Sequence, residues 1–212
     1  MKKVLVLAAA ALLLATPAMA LISNTLHDLS SSVGNTVSGN TNEVCVYCHT
    51  PHGGALLDAP LWNRTVANAT DFYNSATLDV DTSLSGTNAS DAPLCLSCHD
   101  GSSQADALTN PPNDTGAVTV TGSLGADANL DKDLSNDHPV GFEFTAAAVS
   151  SDGELFPKAT IETGAMTDAL SYGSGNDMWC SSCHDVHGVS GVPTFLRMSN
   201  AGSNLCLACH NK

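Results

Sequence analysis

The sequence predicts a mostly irregular chain. Short helices should form at four repeated pentapeptides, β-structure should be minimal, and the chain has too few large side chains to build its own core. Three observations carry this expectation. First, C-x-x-C-H occurs four times: Cys45-Val46-Tyr47-Cys48-His49, Cys95-Leu96-Ser97-Cys98-His99, Cys180-Ser181-Ser182-Cys183-His184 and Cys206-Leu207-Ala208-Cys209-His210. Together these copies use all 8 cysteines. Second, aromatic residues make up only 5% of the 212 residues, and Asn, Ser, Thr, Gly and Asp fill the gaps between copies, so little large apolar surface is available to bury. Third, neither a period of 2 nor one of 3.6 is sustained over any long stretch.

The pentapeptide is the attachment signature of a c-type haem. Two thiols three residues apart add to the two vinyl groups of one porphyrin, and the adjacent histidine then lies under the iron and donates a nitrogen to it. Four copies with no stray thiol predict four covalently bound haem c groups, held by Cys45, Cys48, Cys95, Cys98, Cys180, Cys183, Cys206 and Cys209. The proximal iron ligands are His49, His99, His184 and His210. The fold class is therefore a multihaem cytochrome c whose core is a chain of stacked haems wrapped by loops. Other readings of these cysteines are weaker. A thioredoxin-like pair needs a βαβ setting. Structural zinc knuckles leave the histidine after every second cysteine unexplained. A disulfide framework, the default for a secreted Cys-rich chain, does not require this regular spacing.

In chain order, Lys2 and Lys3 form a positive n-region, Val4 to Ala15 an apolar h-region, and Ala18-Met19-Ala20 an A-x-A cleavage site. Residues 1–20 thus read as a secretory signal peptide, too short to span a bilayer. Cleavage after Ala20 leaves 192 residues, or 48 per haem, with five basic residues against 21 acidic ones and a formal charge of −16. Nucleic acid and anionic membranes are poor partners for such a chain. Residues 21–212 read as one tetrahaem domain with two ligand repeats, approximately 21–100 and 138–212, joined by an acidic loop at 101–137. Within that loop Ala117 to Thr121 alternates and is β-branched, a short strand candidate. Asn110-Pro111-Pro112-Asn113-Asp114 is turn chemistry. Asp131, Asp133 and Asp137 lack the EF-hand pattern and read as a solvated acidic loop rather than a calcium site.

Eight histidines are present. Four belong to the motifs, and His27, His52, His138 and His187 remain, one distal ligand for each of four irons. Bis-histidine ligation of all four follows from that match. Methionine is the competing distal ligand, but Met166, Met178 and Met198 read as gap-fillers. His52 and His187 each follow a proximal histidine by three residues, in His49-Thr50-Pro51-His52-Gly53 and His184-Asp185-Val186-His187-Gly188. Residues three apart on a helical turn share a side, so neither reaches the far face of the haem its neighbour holds. Each should ligate an adjacent haem and force two porphyrins into near-stacked contact. Each half then reads as a distal histidine, C-x-x-C-H-x-x-H-G, and a plain C-x-x-C-H. Symmetry assigns His52 to the second haem and His187 to the fourth, leaving His27 and His138 for the first and third, a pairing that can be permuted.

Cys45 to Gly53 (CVYCHTPHG), Asp137 to Phe142 (DHPVGF) and Phe195 to His210 (FLRMSNAGSNLCLACH) resemble exported multihaem cytochromes of metal-reducing bacteria with doubled C-x-x-C-H motifs. In size and motif number the chain is similar to the tetrahaem outer-surface cytochromes whose subunits polymerise into extracellular filaments. The resemblance implies an electron-transfer protein rather than an enzyme, a stacked haem chain conducting along a filament at the cell surface or outside it. Its partners would be further copies of itself, other multihaem cytochromes as donors, and extracellular acceptors. The alternatives are a monomeric periplasmic shuttle and a small-molecule reductase of the nitrite or hydroxylamine type, which needs an iron with an open position. His27 lies in a polar N-terminal segment, Leu21 to Asn42, of a kind usually mobile unless tied down. It is expected to ligate a haem of the next subunit in a head-to-tail, non-closing assembly.

Overall fold

The computed structural model describes residues 22–54, 61–66, 68–76, 78, 91–102, 108–112, 118, 120–146, 149–150, 153–171 and 177–212. The signal-peptide segment 1–20, Ala117, and Asn113-Asp114 lie outside these residues.

Helices form where the motifs are, for a local reason. In the first, third and fourth motifs the histidine N–H donates to the carbonyl of the first cysteine, His49 to Cys45 at 2.8 Å, His184 to Cys180 at 3.1 Å and His210 to Cys206 at 2.9 Å. This is the i to i−4 bond of one α-turn, and it gathers two sulfurs and an imidazole. The turns belong to a 3₁₀ helix, Val44–Tyr47, and to α-helices at Cys180–Cys183 and Asn204–Cys209. The second motif ends the helix Ala92–His99, which carries a proline in its first turn, where the missing N–H costs nothing.

Strands among the described residues are two residues long. β1 (Ser38–Gly39) pairs antiparallel with β3 (Val120–Thr121), β2 (Asp71–Phe72) pairs parallel with β4 (Asp133–Leu134), and β5 (Phe142–Glu143) pairs antiparallel with β6 (Asp177–Met178). The end of the predicted AVTVT strand is thus β3. The result is mostly loop with short helices, as the sequence predicts.

The second half does contain a side-chain core, which the composition had not led us to expect. Phe142, Phe144, Ile161, Met166, Leu170, Met178 and Leu205 are buried together, with Cys183, Met198 and Cys209 packed against them. Met166 and Met178 therefore fill a core, as gap-fillers do. Smaller clusters join Val46, Tyr47 and Val118 and Ala92, Leu96 and Leu134.

The N-terminal segment is tied down rather than a loose arm. The buried Asp28 carboxylate accepts from the N–H groups of Asn24 at 2.8 Å and Ser30 at 3.1 Å. The Asn35 amide donates to the carbonyls of Thr25 and Asp28. A Cβ at Gly39 would run into the Tyr47 ring, whose hydroxyl donates to Thr41 O. These bonds fix the backbone on either side of His27.

Candidate metal centres

None of the eight cysteines forms a disulfide. Burial, followed by the neighbouring Cys98, pushes the Cys48 thiol up to about 12. Burial likewise pushes Cys209 up to about 11. Burial thus favours the neutral thiol at both positions.

The two doubled motifs leave their helices in the same way. His49 bridges to Trp62 and His184 to Leu196. Around the first, Thr50 N–H donates to Leu61 O at 2.9 Å and Asn63 N–H to Cys48 O at 2.8 Å. Around the second, Asp185 N–H donates to Phe195 O at 2.6 Å and Arg197 N–H to Cys183 O at 2.9 Å. Both H-x-x-H turns close on a glycine in the left-handed region, Gly53 at φ 67° and Gly188 at φ 70°, where a Cβ is disfavoured. The sequence repeat is therefore also a structural one.

Three histidine pairs stand opposite each other. His49 and His187 have ring centroids 6.2 Å apart with planes inclined by 18°. His27 and His99 are 6.2 Å apart at 80°, and His138 and His210 6.3 Å apart at 71°. An imidazole nitrogen sits about 2 Å from a metal it ligates and the ring centre about 1.1 Å further on, so two imidazoles closing one iron have centroids about 6.3 Å apart. The residues present fit a haem iron between each pair. His52 and His184 are both exposed, and among the described residues neither faces another histidine ring at this separation. Symmetry had placed His187 with the fourth motif and His27 with the first. The structure instead brings His187 to the first motif, His27 to the second motif of its own chain and His138 to the fourth; for His187 the reason is that a tether of three residues fixes its distance from His184 but not which neighbouring motif lies beyond it.

Backbone carbonyls orient these rings. The Nδ1–H groups of His99, His138 and His184 donate to Ala128 O at 2.6 Å, Pro139 O at 2.9 Å and Thr194 O at 3.0 Å. His27 Nδ1–H donates to Val186 O at 3.4 Å. A carbonyl only accepts, so Nδ1 carries the proton and Nε2 keeps its lone pair for a metal. His27 also stacks on Phe195, with centroids 4.2 Å apart. Burial lowers its pKa below the ordinary histidine value, the Val186 bond opposing this only in part, which favours the neutral ligand form.

Several residues around the site carried no sequence signal. Asp91 accepts from Cys180 N–H at 2.8 Å and Ser181 N–H at 2.9 Å, joining the second motif's helix to the start of the third. Its carboxylate and the sulfurs of Cys95 and Cys180 lie within 4.8 Å of one another. The attachment sulfurs of the second and third motifs therefore sit side by side. Arg64, 1% exposed, donates to Ser97 O at 3.0 Å, and Arg197 donates to Ser181 O at 2.7 Å. In each half one arginine thus holds the carbonyl between two cysteines. The acidic loop contributes as well, since Ala128 orients His99 and Leu130 N–H donates to His99 O at 2.8 Å. Among the described residues Asp131, Asp133 and Asp137 do not gather into a metal-binding cluster.

Residues 173–212 match the family model described as the doubled CXXCH motif. No curated protein matches the chain. The match supports a multihaem c-type cytochrome, and the motifs indicate covalently bound haem c. Haem iron, when bound, supplies one-electron redox chemistry. The paired cysteines of each motif would hold the porphyrin and the histidines would present imidazole nitrogens to its iron, while backbone hydrogen bonds fix the rings of His27, His99, His138 and His184.

Proposed function

We propose that the chain is an exported electron-transfer protein carrying four bis-histidine haems, and that it works as the subunit of an extracellular conducting filament. The observation that supports this most is the histidine set. All four motifs are complete, and three of their proximal imidazoles stand opposite a second histidine at axial separation. Irons closed in this way exchange electrons without binding substrate. The adjacent sulfurs of Cys95 and Cys180 favour short steps between neighbouring haems. In a head-to-tail assembly a histidine passed between copies would tie the subunits against the repulsion of their charge. His27 has a partner in its own chain, so this role falls to the exposed His52, with the iron at His184 as its target.

The competing reading is a small-molecule reductase, and the exposed His184 marks the iron where an open position would lie. Carbon monoxide binding to the reduced native material decides between the two. Four haems by intact mass, no carbon monoxide adduct, and filaments in electron micrographs are the expected results. Rapid binding at one haem in the native assembly would overturn the closed-site reading.

A further inference from the structure

We propose one axial ligand that crosses between the two halves and two that stay within them: His187 closes the iron attached at Cys45 and Cys48, while His27 closes the iron at Cys95 and Cys98 and His138 the iron at Cys206 and Cys209. The assignment rests on the haem-carrying reading above and adds to it which histidine serves which iron.

The centroid separations of 6.2, 6.2 and 6.3 Å match the span of two imidazoles on one metal, and they select these three partners. The inclinations of 18°, 80° and 71° place no restriction on this, because the two rings turn independently about the axis through the iron. The backbone holding each distal histidine is built. Asp185 accepts from His187 N–H at 3.3 Å and from Ser190 N–H at 3.0 Å, while Gly188 N–H donates to Asp185 O at 2.8 Å. His27 is held from two sides, by the Val186 carbonyl and the Phe195 ring. His138 is fixed by Pro139 O and by the turn in which Asp137 N–H donates to Leu134 O at 3.2 Å.

The consequence is that the segment following the third motif serves three haems. His184 belongs to the third, His187 closes the first, and Val186 between them orients His27 on the second. A repeat-symmetric map, with His187 on the fourth iron, requires His210 to leave the ring that stands opposite it.

The test uses the full haem-loaded chain and reads spin state. His187→Ala should turn one of four haems high-spin, and added imidazole should restore the low-spin form. Removing the first haem in the same protein, by Cys45→Ala and Cys48→Ala, should abolish the high-spin signal. Removing the fourth, by Cys206→Ala and Cys209→Ala, should leave it in place. The opposite pattern would overturn the map. His27→Ala should behave in the same way with Cys95→Ala and Cys98→Ala. If the cysteine variants do not accumulate, an experimental structure of the haem-loaded wild type reads the pairs directly. His187 Nε2 on the iron at Cys45 and Cys48 supports the map, and His187 Nε2 on any other iron refutes it. Intact mass separates the two levels. Four haems with another pairing overturn the map alone, whereas a chain without haem overturns the reading beneath it as well.

Discussion

One carboxylate, that of Asp91, joins two motifs far apart in the sequence. Its oxygens accept from the N–H groups of Cys180 and Ser181, which lie in the first turn of a helix, where N–H groups have no intrahelical acceptor. An Asp at this place also meets the positive end of the turn. Asp91→Ala should therefore destabilise the protein by about 1–2 kcal/mol, in the range of lost helix caps, with Asp91→Asn intermediate. Chemical denaturation of the haem-loaded variants measures this, and an unchanged midpoint for the alanine variant would refute it. Nothing in the sequence marks Asp91, because it reads as one more acidic residue in a polar linker and its partners are 89 and 90 residues away. Arg64 and Arg197 were illegible for the same reason. The four C-x-x-C-H motifs were legible because each pattern is complete within five residues.

At the scale of an element, the H-x-x-H-G turn is the clearest unit. Gly188 has φ 70°, where an L-residue costs about 1–2 kcal/mol, and it follows directly on His187. Gly188→Ala should move His187 as well as lower stability, so that high-spin character develops at one iron. A low-spin spectrum identical to wild type would show that the turn absorbs the change. The segment Lys158–Ile161 and its following turns form a second unit, with an acid-sensitive lock. Burial opposes the charge on Glu162, yet the Leu170 N–H, the Ser171 hydroxyl and the Lys158 ammonium outweigh it and hold the carboxyl below its ordinary value. A carboxyl depressed on folding stabilises the fold above its ordinary titration range, and that contribution is lost as pH falls through the folded value. Glu162→Gln should lower stability at neutral pH and flatten its decline in acid, as thermal melts across pH would record. A parallel decline in both proteins would exclude the lock. The helices at the motifs and the strand ending at Thr121 were readable from local pattern. The core around Phe142, Ile161 and Leu170 was not, because its residues are dispersed among polar ones without a period and meet only when distant turns fold together.

Across the whole molecule, the third motif is where the halves meet. Asp91 caps it from the start of the second motif's helix, its Cys180 sulfur lies beside that of Cys95, its His187 stands opposite His49, and the Val186 carbonyl accepts a hydrogen bond from His27 Nδ1–H. The fourth motif is attached differently. Its helix rests on the side-chain core through Leu205 and Cys209, and its strand-like exit bridges Leu155. Symmetry within the sequence could locate the two halves but not this junction, since ligand order says nothing about which face of one half meets the other. The two attachments predict unequal consequences of losing a haem. On the haem-carrying reading, Cys180→Ala with Cys183→Ala removes the group that the third motif would hold next to the turn Asp185 to Gly188, so the first and second irons, whose proposed ligands depend on that turn, should acquire high-spin character. Cys206→Ala with Cys209→Ala removes a haem that shares no such turn, and the first and second irons should stay low-spin. Electron paramagnetic resonance of the two oxidised three-haem proteins, with intact mass confirming three haems in each, makes the comparison. Equal spin populations in the two would mean that the third motif is not the junction, and the His187 and His27 pairs would then have to be held by the polypeptide alone.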